Sequence, residues 1–280
     1  MSPVIAIVAA GAMGSAVARR CIENGARVLT SLESRGAATA QRAAAVGMTA
    51  ATDDEIAGAD LVFSVVPPAE AAALARRLAQ AFARTGKTPV YVDCNAVNVT
   101  TKQEIGAIAM AGGARFVDAA IIGFPPAPGE VGPAVYLSGE AARDATVLGT
   151  LGLNVIVMEA PVGAASALKM SFAGLNKGMT GLAAAMMLAA SRAGASRALR
   201  EELASSQPQV LARFSRTVPD MYPKAYRWVA EMHEIAEFLG DDPAARKIFE
   251  GMAELFARIA ADVESGREEV RLLDAFFTAP

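Results

Sequence analysis

The chain has 280 residues, 53% of them hydrophobic, a formal net charge of −3, two cysteines and one histidine. That charge excludes a basic face for nucleic acid or an anionic membrane, and no stretch is long and apolar enough to span a bilayer, so a cytoplasmic protein is expected. Two cysteines and a lone His233 leave no zinc or iron–sulfur ligand set, so no metal is expected. They also leave no Ser-His-Asp relay unless His233 supplies its base.

Residues 4–20 read VIAIVAAGAMGSAVARR. An apolar run of this kind serves either as the core of a secretory signal or as a buried strand running through a glycine turn into a helix. A signal requires basic residues before the run. Met1, Ser2 and Pro3 carry no side-chain charge, and Arg19 and Arg20 come too late. The strand reading therefore holds, with a strand at 4–8 and a helical pattern to Asn24. Gly25 stops that helix, and a second strand follows at about 27–32.

Further along, helical patterns cover 37–45, 69–83 and 101–110. Strand runs cover 61–66, 90–93, 115–119, 134–138 and 154–158. Strands alternating with helices predict a mostly parallel sheet covered on both faces, with ligands outside its carboxyl ends. Cys21 falls in a helical pattern and Cys94 just after a strand, so buried free thiols are expected rather than a disulfide. Past Pro161 the texture changes. Residues 163–193 form one alanine-, methionine- and leucine-rich run without proline, with Gly174, Gly178 and Gly181 as places to bend. Helical periodicity continues to the end. The expected organisation is a Rossmann-type doubly wound α/β domain over 1–160 and an all-α domain for substrate and dimerisation over 161–280.

Ala9-x-Gly11-x-Met13-Gly14 fits the dinucleotide fingerprint with its first glycine replaced by alanine. Gly11 lets backbone approach a pyrophosphate, Gly14 lets the helix pack on the sheet, and N–H groups from Ala12 onward face the phosphates. The second strand ends in TSLESRG, which should select the cofactor. Glu33 stands where a carboxylate accepts from a ribose 2′-hydroxyl. Ser31, Ser34 and Arg35 form a cluster suited to a 2′-phosphate, which the planar guanidinium binds through two oxygens. The balance favours NADP(H) over NAD(H).

GAMG, DLVFSVVPP, VDCNAV, FVDAAIIG and GAASALKM, in this order and spacing, resemble the phosphogluconate and hydroxyisobutyrate dehydrogenases of the β-hydroxyacid dehydrogenase superfamily. PKAYRWVAEMHEIAEF resembles a less characterised branch with a C-terminal domain of unknown function. The resemblance implies the following roles. Gly11, Met13 and Gly14 form the pyrophosphate turn, Val66 and Pro67 lie along the cofactor, and Asn95 is a polar residue near nicotinamide and substrate. Residues 118–123 (DAAIIG) occupy the substrate-binding segment D-A-P-V-S-G of relatives, and Lys169 is the catalytic lysine. An ammonium of lowered pKa can take the hydroxyl proton when an alcohol is oxidised, or supply one when a carbonyl is reduced. Helical spacing puts Gly163, Ser166, Lys169, Phe172 and Asn176 near one face.

The chain departs from its relatives where they hold a carboxylated substrate. Phe172 and Ala173 replace asparagines, and Ile122, beside Gly123, replaces a serine. A less polar substrate is therefore favoured, with Asn176 and Lys177 one turn further on to compensate. Glu231 stands near the place of a cofactor-contacting lysine. Helical spacing puts Lys224, Arg227, Glu231 and Glu234 on one face, which also suits an ion-pair lattice. The function expected is hydride transfer between a nicotinamide cofactor and a hydroxyl/carbonyl pair of a small molecule. The alternatives are an imine reductase, against which Lys169 argues, and a non-catalytic NADPH sensor. The superfamily pairs subunits through such helices, so a homodimer is expected.

Overall fold

The computed structural model describes residues 2–33, 35–130 and 132–278. It divides into two compact units, Met1–Lys169 and Met170–Pro280. The division falls inside the long helix rather than near residue 160.

The first unit alternates as its sequence pattern implies: β1 (Val4–Val8), α1 (Ala12–Glu23), β2 (Arg27–Thr30), α2 (Ala37–Ala45), β3 (Thr49–Ala50), α3 (Asp53–Ala57), β4 (Leu61–Ser64), α4 (Pro68–Thr85), β5 (Val90–Asp93) and α5 (Val99–Ala111). It closes with β6 (Arg115–Ile122), β7 (Ala134–Ser138), a 3₁₀ turn, the single-turn α6 (Val147–Thr150) and β8 (Asn154–Val157). The eight strands form one sheet in the order β3-β2-β1-β4-β5-β6-β7-β8. Every pairing is parallel except β6 with β7.

Strand alternation sorts side chains into two cores. Ile5, Ile7, Phe63 and Val92 pack on one face with Val17 and Cys21 of α1. Ala6, Val8, Val62 and Tyr91 pack on the other with Leu74 and Leu78 of α4. A strand buried on both faces needs apolar residues at every position, which is why LVF and VYV read as unbroken runs. The chain winds outward from β1 in one direction to β3, then returns to β4 and winds the other way. The crevice where that order switches, at the carboxyl ends of β1 and β4, is where this fold takes a ligand.

The second unit is helical. The long helix α7 (Ala164–Arg192) runs into it without interruption, followed by α8 (Ser196–Ser206), α9 (Pro208–Met221), a 3₁₀ turn, α10 (Ala225–Phe238), α11 (Pro243–Glu264) and α12 (Glu268–Thr278). The three glycines expected to bend α7 instead let it approach its neighbours. A Cβ on Gly174 would stand 3.3 Å from Phe249, and one on Gly181 would stand 3.1 Å from Phe256. Trp228, Met232, Phe256 and Phe276 fill the core. A different row of α7 is bare: Phe172, Leu175, Met179, Leu182 and Met186 are 38–65% exposed. No helix among the described residues is long and apolar enough to cross a membrane.

Candidate functional site

The glycine turn sits at the carboxyl end of β1, as its sequence implies. A Cβ on Gly14 would collide with the Ala9 carbonyl oxygen, so no side chain fits there and α1 packs directly on the strand end. Gly11 caps α1 in extended backbone without a side-chain hydrogen bond, and the first turn carries no acid. A Cβ on Gly11 would meet nothing within 4 Å. The first turn of α1 thus starts beside open space and without a side-chain cap, with Ala12 exposed and Met13 half-buried. The Ser15 hydroxyl, buried in that turn, has no hydrogen-bond partner among the described residues. Uncapped N–H groups, a helix dipole and an orphan hydroxyl are the donors a pyrophosphate takes up, so the turn fits a dinucleotide. From α2, Arg42 Nε donates to the Ala10 carbonyl at 3.2 Å and steadies the loop.

The end of β2 is more evenly charged than its sequence implies. Arg35 pairs with Glu70 of α4 at 2.9 Å. The buried Ser31 hydroxyl accepts from Arg77 at 3.2 Å, and Arg77 also pairs with Asp53 at 3.0 Å. Glu33, Thr52, Asp53, Asp54 and Arg84 line a cleft of about 640 Å³ beside this strand end. Ser34 lies outside the described residues. Arg77 had no sequence signal: it sits in a helical charge pattern and reaches Ser31 only through the fold.

A buried polar row runs across the strand ends. Ser64 of β4, Asp93 of β5, Asp118 of β6 and Ser138 of β7 are register partners in sequence, each fully buried. Asn95, just past β5, donates from Nδ2 to Ser64 Oγ at 2.8 Å and to Asp93 Oδ2 at 2.7 Å. Its Oδ1 accepts from the Val66 N–H at 2.7 Å, which fixes the turn that Pro67 carries into α4. The Asn95 side chain is thus committed to holding the Val66–Pro67 loop.

Asp118 serves the start of α7. Its Oδ2 accepts from Gly163 N at 2.9 Å, Ser166 N at 3.1 Å and Ser138 Oγ at 2.9 Å, while Oδ1 accepts from Ser166 Oγ at 2.7 Å. A carboxylate beneath the first turn satisfies amides that a helix start otherwise leaves open. Ser166 is thereby almost wholly buried, with its hydroxyl proton spent on Asp118. Lys169 follows one turn later and is half-buried. Burial pushes the Cys94 thiol up, and the ammonium groups of Lys102 and Lys169 oppose the shift, so the Lys169 charge acts at the carboxyl end of β5. Further along β6, Ile122 is half-buried, and Gly123 (φ 136°) holds a conformation that a side chain rarely adopts. The loop beyond presents Phe124, 81% exposed.

The remaining candidates belong to the helical unit. Asn176 Oδ1 accepts from Arg213 at 2.6 Å, and its Nδ2 donates to the Phe172 carbonyl at 2.8 Å. Glu231 pairs with Lys177, whose ammonium lies 5.6 Å from the Trp228 ring centre. Two of the four charges read on one face near α10 have their partners off that face. Lys224 precedes that helix and reaches back to Asp220, and Glu231 pairs across helices. Arg227 and His233 are exposed.

Two family models match the chain. An NADP oxidoreductase family, coenzyme F420-dependent, covers residues 4–96, and a domain of unknown function (DUF1932) covers residues 190–259. No curated protein matches. Among solved structures, a conserved protein of unknown function described as similar to 3-hydroxyacid dehydrogenases is 27% identical, at TM-score 0.79 over 93% of this chain and 98% of that one. A 3-hydroxyisobutyrate dehydrogenase of Mycobacterium tuberculosis is 19% identical, at TM-score 0.74 over 94% and 95% of the two chains. An imine reductase variant of Myxococcus stipitatus, in complex with NAD+, is 19% identical, at TM-score 0.58 over 99% of this chain and 100% of that one.

Proposed function

We propose that this chain is a member of the β-hydroxyacid dehydrogenase-like superfamily with a C-terminal helical domain, and that it moves hydride between NADP(H) and a hydroxyl/carbonyl pair of a small molecule. One observation carries the reading. The open amides of the α1 start and the Lys169-bearing turn both stand at carboxyl ends of the same sheet, where this fold binds its ligands.

A bound nicotinamide supplies or accepts the hydride. This chain's residues do the rest. Gly11, Ala12, Met13 and Gly14 present backbone to the pyrophosphate, and Val66 and Pro67 line the cofactor along a loop that Asn95 holds. Lys169 gives or takes the hydroxyl proton, a role that suits an ammonium half-withdrawn from water. Ile122, Gly123 and Phe124 offer the substrate little polar purchase, which favours a weakly polar molecule over a small hydroxyacid. Ser166 orders the catalytic turn, while Phe172, Asn176 and Glu231 are the helical unit's candidates for substrate contact.

NADP(H) is favoured over NAD(H) by Arg35 and Arg77 around Ser31, with Glu33 as the opposing group. Exposed arginine–carboxylate pairs are worth only about 0–1 kcal/mol, so a phosphate dianion can take the guanidinium from Glu70. Beyond Phe172 the bare row on α7 repeats at three- and four-residue steps, the spacing of a helix–helix seam, and we assign it to a second copy of this chain. Leu175→Glu with Leu182→Glu should turn a dimer into a monomer in sedimentation at micromolar concentration. A wild-type monomer would remove this part of the proposal. The proposed setting is the cytoplasm.

The test of the function is NADPH consumption against aldehydes, keto acids and imines, run beside cofactor binding alone. Oxidation with carbonyl substrates supports the proposal. Turnover with imines only favours the imine reductase reading, and tight binding without turnover favours a sensor, which the altered residues Ile122, Phe172 and Ala173 would explain.

A further inference from the structure

Lys102 belongs to none of the roles above, yet it is fully buried with no side-chain surface in water. Its ammonium donates to the Asp93 carbonyl at 2.9 Å, the Asn95 carbonyl at 3.2 Å and the Asp93 carboxylate, and stands 3.7 Å from Asp118 Oδ1. A buried ammonium is retained only where its protons and charge are answered on every side, and here they are. The two carboxylates it joins have separate duties. Asp93 holds Asn95, which holds the Val66 amide. Asp118 holds the Gly163 and Ser166 amides that start α7, one turn before Lys169.

We infer that Lys102 is a positioning residue that couples the cofactor loop at Val66 to the Lys169-bearing turn, through Asp93 and Asn95 on one side and Asp118 on the other. Fixed charges and carbonyls in a dry site hold their partners far more stiffly than the same groups in water. An adjustment at either end is therefore felt at the other. The functional half of this inference rests on the oxidoreductase reading; the coupling itself does not.

The experiment is amide hydrogen exchange, read residue by residue, on wild type and Lys102→Met. Exchange at Val66, Gly163 and Ser166 should speed by about tenfold or more, while Ile7 in β1 changes less than about twofold, the pattern of local rather than global opening. A change confined to one side, or to neither, overturns the coupling. Should Lys102→Met fail to fold, Asp118→Asn carries the test. Its direct effect falls on Gly163 and Ser166, and the coupling requires a smaller acceleration, about threefold, at the distant Val66 amide. An unchanged Val66 overturns it.

The functional half is read from cofactor affinity. Lys102→Met should weaken NADP(H) binding about tenfold, whereas Leu273→Ala, a core variant of the helical unit that costs stability, should leave affinity and these three amides near their wild-type values. Equal loss in both variants reduces Lys102 to a structural residue. If wild type binds no nicotinamide cofactor, the oxidoreductase reading fails while the exchange rates still judge the coupling.

Discussion

The two units treat polarity in opposite ways. The α/β unit buries Ser64, Asp93, Asn95, Lys102, Asp118, Ser138 and Ser166 and satisfies them with one another, while the helical unit leaves Phe172, Leu175, Leu182 and Met186 in the open. Buried polar groups cost free energy unless they are answered, so a row in which these seven answer one another fixes its loops in one arrangement. Exposed apolar rows cost free energy until something covers them. The contrast separates the units: one is organised in advance around its strand ends, and the other keeps an apolar row exposed, which the proposal assigns to a second copy.

The sharpest way to break the first half of that contrast is Lys169. Lys169→Ala should lower turnover by roughly two to four powers of ten, the usual worth of a positioned acid or base, with cofactor affinity little changed. Lys169→Arg should fare nearly as badly, because a guanidinium keeps its proton. Steady-state kinetics checks both, and near-normal turnover in Lys169→Ala assigns the proton elsewhere.

Gly14→Ala attacks the turn instead. Its methyl would press on the Ala9 carbonyl, so a loss of about 1–3 kcal/mol is expected in urea unfolding, together with weakened cofactor binding. Gly11→Ala meets no protein atom and should keep its stability while losing affinity. Equal stability loss in both variants would undo the distinction between a packing glycine and a ligand-facing one.

At the strand end of β2, Arg35→Ala should remove most of a roughly tenfold preference for NADP(H) over NAD(H), a single charged contact being worth about 1.5–3 kcal/mol at best. Titration of both cofactors measures it. Equal affinities in the wild type leave Glu33 as a ribose ligand.

The remaining effect is alkaline. Burial pushes the Cys21 thiol from its ordinary 9.0 up to about 12. A group whose folded pKa is raised contributes stability that is complete below its unfolded value and is lost as pH climbs toward the folded one. Stability should therefore decline between about pH 9 and 12, and Cys21→Ala should make that decline shallower. Parallel slopes for the two proteins would assign the alkaline loss to other groups.

The glycine turn, the central strands and the long helix were legible in the sequence because each is a local pattern: a turn residue, an unbroken apolar run, a helical run without proline. The strand at 49–50 and the single-turn helices were not, since two to five residues carry no periodicity. The polar row was visible only in pieces, as the Ser64, Asp93, Asp118 and Ser138 that end or interrupt apolar runs. What joins them is strand register, which no local window contains. Lys102 is the extreme case. In a helical pattern beside Gln103 and Glu104 a lysine reads as solvated, and only the carbonyls and carboxylates gathered by three elements explain its burial. Ser166 was singled out for its helix face, while the structure spends its hydroxyl on Asp118.

The central claim is hydride transfer, and isotope transfer tests it most directly. NADPH carrying deuterium at the reactive carbon of its nicotinamide is mixed with excess protein and each carbonyl compound in turn, and products are weighed by mass spectrometry. The account predicts one deuterium in the product of at least one carbonyl compound and none with Lys169→Ala on the same timescale. Saturated binding of NADPH with no label in any product would contradict it and leave a protein that holds the cofactor without using it.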